Sequence, residues 1–137
     1  MGIIKRLFRK EEVEEKPKEE VEEKPKLTEL EQICLNDSEV YEALKDTMFL
    51  NPLRIDVSFD DAVSNARKFE KEKNYLKAAL WYKIAGGLAI YKGDVNKVRE
   101  YFGKYAKLTG KKLKILEAAE EAVKKAQEYY QRYLKEK

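Results

Sequence analysis

Cys34 is the one thiol in this chain, and histidine is absent. Together these two facts remove most side-chain chemistry. Histidine is the usual general base and metal ligand near neutral pH. A single cysteine builds neither an internal disulfide nor a zinc or iron–sulfur cage, and it fits a reducing, cytoplasmic setting. Cys34 continues a helical stripe with Leu30 and Ile33, so it reads as a small buried hydrophobe. Asp60–Asp61 and the glutamate runs are paired carboxylates only on paper, because the first turn of a helix favours acids through its dipole. No glycine-rich phosphate loop, nucleophile elbow or metal-spaced cluster occurs. The sequence therefore predicts a non-catalytic protein with no cofactor and no metal.

The aromatic and basic residues are the remaining candidates. Nine tyrosines are present, and Tyr82, Tyr101, Tyr105 and Tyr130 are the candidate partner-binding residues. Trp81 and Tyr82 read as core rather than as a ligand platform. Tyr129, Tyr130 and Tyr133 lie with Arg132 and Lys135, and Lys104, Lys107, Lys111, Lys112 and Lys114 precede them. Residues 103–137 hold ten Lys/Arg against five Glu, a net +5. Such a surface suits nucleic acid or an acidic peptide; the plainer reading is a solvated helix face supported by Glu–Lys pairs.

The elements that must position these residues are helical. At 137 residues the chain is sized for one domain, and 43% hydrophobic content is enough to build a core despite 40% charge. The Lys/Glu-rich balance matches proteins of hot-living organisms and equally a well-solvated helical protein. Residues 1–10 form a basic amphipathic segment of charge +4: Ile3, Ile4, Leu7 and Phe8 share one helical face, while Lys5, Arg6, Arg9 and Lys10 fall largely on the other. This is a candidate foot for a membrane surface or a partner. It is too short and too interrupted for a secretory signal, and Arg6 stands where myristoylation requires Ser or Thr. Residues 11–26 are EEVEEKPK written twice, with net charge −4. Pro17 and Pro25 break helices and like charges extend the chain, which predicts a disordered linker.

The all-helical domain is expected over 27–137. Thr28 and Glu31 make a capping box. Asn36–Asp37–Ser38 caps a second piece carrying Tyr41, Leu44 and Met48, closed by Asn51–Pro52. Residues 53–57 read as an extended connector. Ser58 with Asp61 opens a helix whose face carries Ala62, Ala66, Phe69 and Lys73, and Asn74 punctuates it. Residues 75–92 are apolar almost all round, which predicts a helix inside the bundle. Gly86–Gly87 in its middle predicts the close approach of a neighbour, or else a kink. Gly93–Asp94 and Thr109–Gly110 delimit a further helix, and a last one is expected from about Lys111 to Lys135. No period-two pattern argues for a strand. The fold class is all-α: an antiparallel bundle or helical-hairpin array of about five helices.

Ala66, Phe69, Asn74–Tyr75, Ala78, Tyr82 and Ala85 fall where a tetratricopeptide repeat places its small, aromatic and turn residues. This segment also resembles the first hairpin of microtubule-interacting-and-trafficking domains. AAEEAVKKAQEYYQRYLKEK, which closes the chain, is similar to their last helix. The resemblance spans about residues 62–135. It implies a protein-interaction adaptor binding a partner's peptide or helix between its helices. The implied partner is a segment from a membrane-remodelling or cell-division system. The alternative expectation is a nucleic-acid-associated accessory protein using the basic C-terminal helix.

Overall fold

Each of the first five helices begins where a short polar side chain caps its free amides. In the computed structural model, which describes residues 27–134, the helices are α1 (Glu29–Ile33), α2 (Ser38–Lys45), α3 (Phe59–Lys71), α4 (Tyr75–Lys92), α5 (Val95–Thr109) and α6 (Ala119–Tyr133). The side chains of Thr28, Asp37, Ser58, Asn74 and Asp94 each accept from the amide three residues on. Thr28 also receives the reciprocal bond, its amide donating to Glu31 Oε1 at 2.8 Å, which completes the capping box. Only α6 starts on a residue, Ala118, that offers no side-chain cap. No strand occurs among the described residues. The expectations for residues 1–10 and 11–26, and for Lys135, lie outside the described residues.

Helices α3, α4 and α5 form the spine. The connections between them are so short that consecutive helices must run antiparallel. Between α3 and α4, Lys73 takes a left-handed conformation (φ 62°). The amides of Lys73 and Asn74 reach back to Glu70 O (2.9 Å) and Phe69 O (2.8 Å), the paired closure of a Schellman turn. Lys73 is therefore the turn itself and does not belong to the α3 face as expected. Val63 takes the place in the packed stripe with Ala62 and Ala66.

The core has two parts that meet along α4 and α5. One joins α3 to the first half of α4 through Ala62, Ala66, Ala78, Tyr82 and Ala85, with Tyr101 and Tyr105 from α5. The other gathers α1, α2 and α6 around the end of α4 through Leu44, Ile90, Val98, Phe102 and Val123. Alanine at the facing positions of α3 and α4 lets the backbones come close, and the tyrosine rings fill the wider gaps.

Three boundaries differ from the expectations. α2 stops at Lys45, so Met48 is buried beyond the helix end rather than on it. Pro52–Arg54 form a 3-10 turn before the chain extends. The last helix starts at Ala119, not near Lys111. Gly110 (φ 74°) ends α5, and the chain runs extended into a 3-10 turn at Lys114–Leu116 that buries Ile115 completely. That crossing carries α6 to α1 and α2.

Candidate functional site

The outer face of α4 keeps apolar surface uncovered. Leu76, Leu80 and Ile84 follow at intervals of four, one above the other along the helix. Leu76 is 84% exposed and Leu80 54% exposed, while Trp81 and Ile84 are half-buried. The expectation of a helix enclosed throughout is thus corrected: its second half is enclosed, but among the described residues no element covers the outer side of its first half. Trp81 is half-buried: it packs against the core that joins α3 to α4 and also lines a surface cleft.

Phe49 closes the stripe. Its ring lies over Gly87 so tightly that a Cβ there would stand 2.6 Å from Phe49 Cε2. From behind, the Tyr130 hydroxyl of α6 donates to the Phe49 carbonyl at 2.6 Å, fixing the backbone that carries the ring. The segment between α2 and α3 therefore forms a wall, with α4 as the floor. A cleft of about 320 Å³ opens between them, lined by Phe49, Ile55, Val57, Trp81 and Ile84, with Arg54 and Asp56. A second, of about 260 Å³, continues over Leu80 and Met48. A third, of about 520 Å³, is lined by Lys83, Lys111, Lys112 and Tyr105, with Asp46 and Thr47. Phe49 and Ile84 belong to the first two clefts, and Asp46, Thr47 and Lys83 to the last two. The three are one groove, apolar at one end and basic at the other.

At the basic end two ammonium groups gather on one ring. Lys83 Nζ and Lys111 Nζ lie 5.7 and 5.9 Å from the centre of Tyr105. Lys111 Nζ also donates to the Tyr105 hydroxyl at 3.4 Å. Among the described residues the ion pairs are Lys45–Glu42, Lys125–Glu128 and Arg132–Glu128, so Lys83, Lys111 and Lys112 pair with no carboxylate of these residues. Among the described residues Asp46 is the one acid in the wall of the basic cleft.

The four candidate tyrosines are placed differently from the expectation that a partner touches them. Tyr82, Tyr101 and Tyr130 are core residues, 1%, 2% and 6% exposed, and only the edge of Tyr105 reaches the groove. Tyr82 stacks on Tyr101 and donates to Glu70 Oε1 at 2.5 Å. Burial, then the bond to Glu70, pushes the Tyr82 phenol well above the usual tyrosine range, and burial does the same for Tyr130. Large rings on an inward helix face are drawn into the core because that removes most area from water. The same holds for the expected basic-aromatic end: Tyr129 and Tyr130 pack edge to face inside, and Arg132 lies 3.8 Å from Glu128.

Cys34 is buried, and burial raises its thiol, so it is not held as a reactive thiolate. Asp60 and Asp61 are exposed in the first turn of α3. Among the described residues no cluster of Cys, Asp and Glu is arranged to hold a metal ion, and no helix is long and apolar enough to cross a membrane.

Sequence reasoning missed Phe49, Leu80 and Lys83 as groove residues and Leu76 as exposed. The Leu76–Leu80–Ile84 spacing was legible, but within a helix apolar on every side it marked no particular face. Comparison with protein-family models, curated proteins and solved structures finds no match to this chain. The hairpin of α3 and α4 is present at the positions that carry the tetratricopeptide-like resemblance. Small and aromatic residues there are what any close helical hairpin requires, so the functional argument rests on the groove.

Proposed function

We propose that this protein is a non-catalytic interaction module of the cytoplasm, an adaptor that receives a helical segment of a partner protein in the groove across α4. The observation that carries this reading is the uncovered stripe of Leu76 and Leu80 running into the cleft of Phe49, Trp81 and Ile84. Contiguous exposed apolar surface is costly in water and characteristically marks a contact site. Apolar side chains at intervals of four suit an amphipathic helix laid alongside. In this reading residues 1–10 and the EEVEEKPK linker tether the module to a membrane surface or larger assembly.

The test is affinity capture with the full chain and with Leu80→Asp, using extract of the source cells and mass spectrometry. Leu80 is half exposed, so the variant keeps its fold, which circular dichroism verifies. The expected result is a protein retained in near-stoichiometric amount by the native chain and reduced tenfold or more on Leu80→Asp. Identical captured sets from both baits would refute the groove as the docking site. Retention of nucleic acid that is lost at moderate salt would favour the nucleic-acid alternative.

A further inference from the structure

We infer that the segment taken up by the groove is acidic at one end: large aliphatic residues one helical turn apart, followed by carboxylates that sit among Lys83, Lys111 and Lys112. This rests on the groove being a docking site and adds the chemistry and direction of its occupant.

Charge along the groove carries the inference. The apolar end holds one charge of each sign, Arg54 and Asp56. Among the described residues the basic end holds three lysines against Asp46. Two of those lysines converge on Tyr105 without a carboxylate partner among the described residues. Like charges gathered on one ring repel each other, and an anion entering between them relieves that repulsion. The low-dielectric side chains in the cleft wall, Phe102 and Leu113, focus that field.

The aliphatic floor decides between classes of anion. A nucleic-acid backbone needs cations spread along its path, whereas here they gather at one end: Arg54 at the other end is matched by Asp56, and Lys45 between them is paired with Glu42. Leu80, Ile84, Met48 and Phe49 give the middle of the groove an apolar floor, beside Lys45 and Asp46, which carry one charge of each sign. A second copy of this chain fits poorly as well. In a two-fold pair the same surface meets itself, and this one would bring mainly lysines and apolar residues to the lysines of its partner. An acidic amphipathic helix of another protein satisfies both ends, with its direction set by the position of the lysines.

A library of random 16-residue peptides displayed on phage and panned against the full-length protein tests this. Enriched peptides are expected to carry Leu, Ile or Phe at i and i+4 and at least two Asp or Glu in one terminal third. A synthetic consensus peptide is then titrated against the emission of Trp81, the only tryptophan in the chain and a wall of the groove. The double variant Lys83→Glu/Lys111→Glu is expected to weaken binding tenfold or more, and the exposed Lys112→Glu severalfold, with circular dichroism unchanged. Replacing the peptide's acids by Gln should have a similar effect on the native protein. Peptides that need Leu80 but show no acidic excess, or bind the lysine variants equally well, would overturn the acidic occupant and leave the docking site standing. Peptides insensitive to Leu80→Asp, or no enrichment at all, would overturn both. Enrichment only after the glutamates of residues 11–26 are changed to Gln would assign the groove to the chain's own acidic repeat and overturn the foreign partner.

Discussion

A methyl group added at Gly86 has nowhere to go: its carbon would stand 2.6 Å from Cε2 of Phe102, whose ring is fully buried in α5. Glycine inside a helix costs about 1 kcal/mol relative to alanine, and here that cost is offset by the ring packing flat against the backbone. Gly86→Ala is therefore expected to destabilise, because overpacking of about 1–3 kcal/mol outweighs the gain in helix propensity. Gly103 is the control: it lies in α5 with nothing within 4 Å of its Cβ position, so Gly103→Ala should gain up to about 1 kcal/mol. Urea titrations of both variants read the two signs directly, and a stabilised Gly86→Ala would contradict the packing described. The glycine pair was legible in the sequence as a place of close approach. That Phe102 fills one position and Phe49 the other depends on which elements fold over α4.

At the scale of elements, caps explain why most boundaries were legible. Thr28, Asp37, Ser58, Asn74 and Asp94 act on amides three residues away, and such local bonds are written directly in the sequence. Lys73 is an exception, since it holds a left-handed conformation that L side chains adopt at a cost of about 1–2 kcal/mol. Its side chain is exposed, so Lys73→Gly is expected to stabilise by about 1 kcal/mol and raise the melting temperature by roughly 4 °C or more. Thermal unfolding followed by circular dichroism checks this, and a lowered midpoint would contradict it. The start of α6 was misread because residues 111–118 carry no breaker after Gly110 and their apolar positions fit a helix. What keeps them out of the helix is a tertiary demand: Ile115 must reach the core shared by α2 and α6.

At the scale of the whole molecule, buried phenols couple stability to alkaline pH. Tyr82, Tyr129 and Tyr130 all have pKa values raised above the ordinary tyrosine value of 10.0, with burial the first cause in each. The unfolded chain gives up these protons near pH 10, whereas the folded chain keeps them. Their contribution to stability is thus fully present below pH 10 and is lost as pH rises above it. Urea midpoints should be level in this respect from pH 7 to 9 and fall beyond pH 10, less steeply in Tyr130→Phe. An equal alkaline fall in that variant would contradict the coupling. Tyr130→Phe also removes the bond to the Phe49 carbonyl, so a neutral-pH loss of about 1 kcal/mol is expected alongside.

The sequence by itself determined the helical class, four of the five side-chain caps, the absence of histidine and the close approach at Gly86–Gly87. Each of these follows from interactions within a few residues or from composition alone. Only the tertiary structure decided which side of α4 faces water. It turned Tyr82, Tyr101 and Tyr130 inward and left Leu76 and Leu80 outside, and it brought Lys83 beside Lys111 from 28 residues further along. A helix apolar on every side has no local signal for its buried face. That choice belongs to the elements that pack against it, and here α3, α5 and α6 leave one strip of it uncovered.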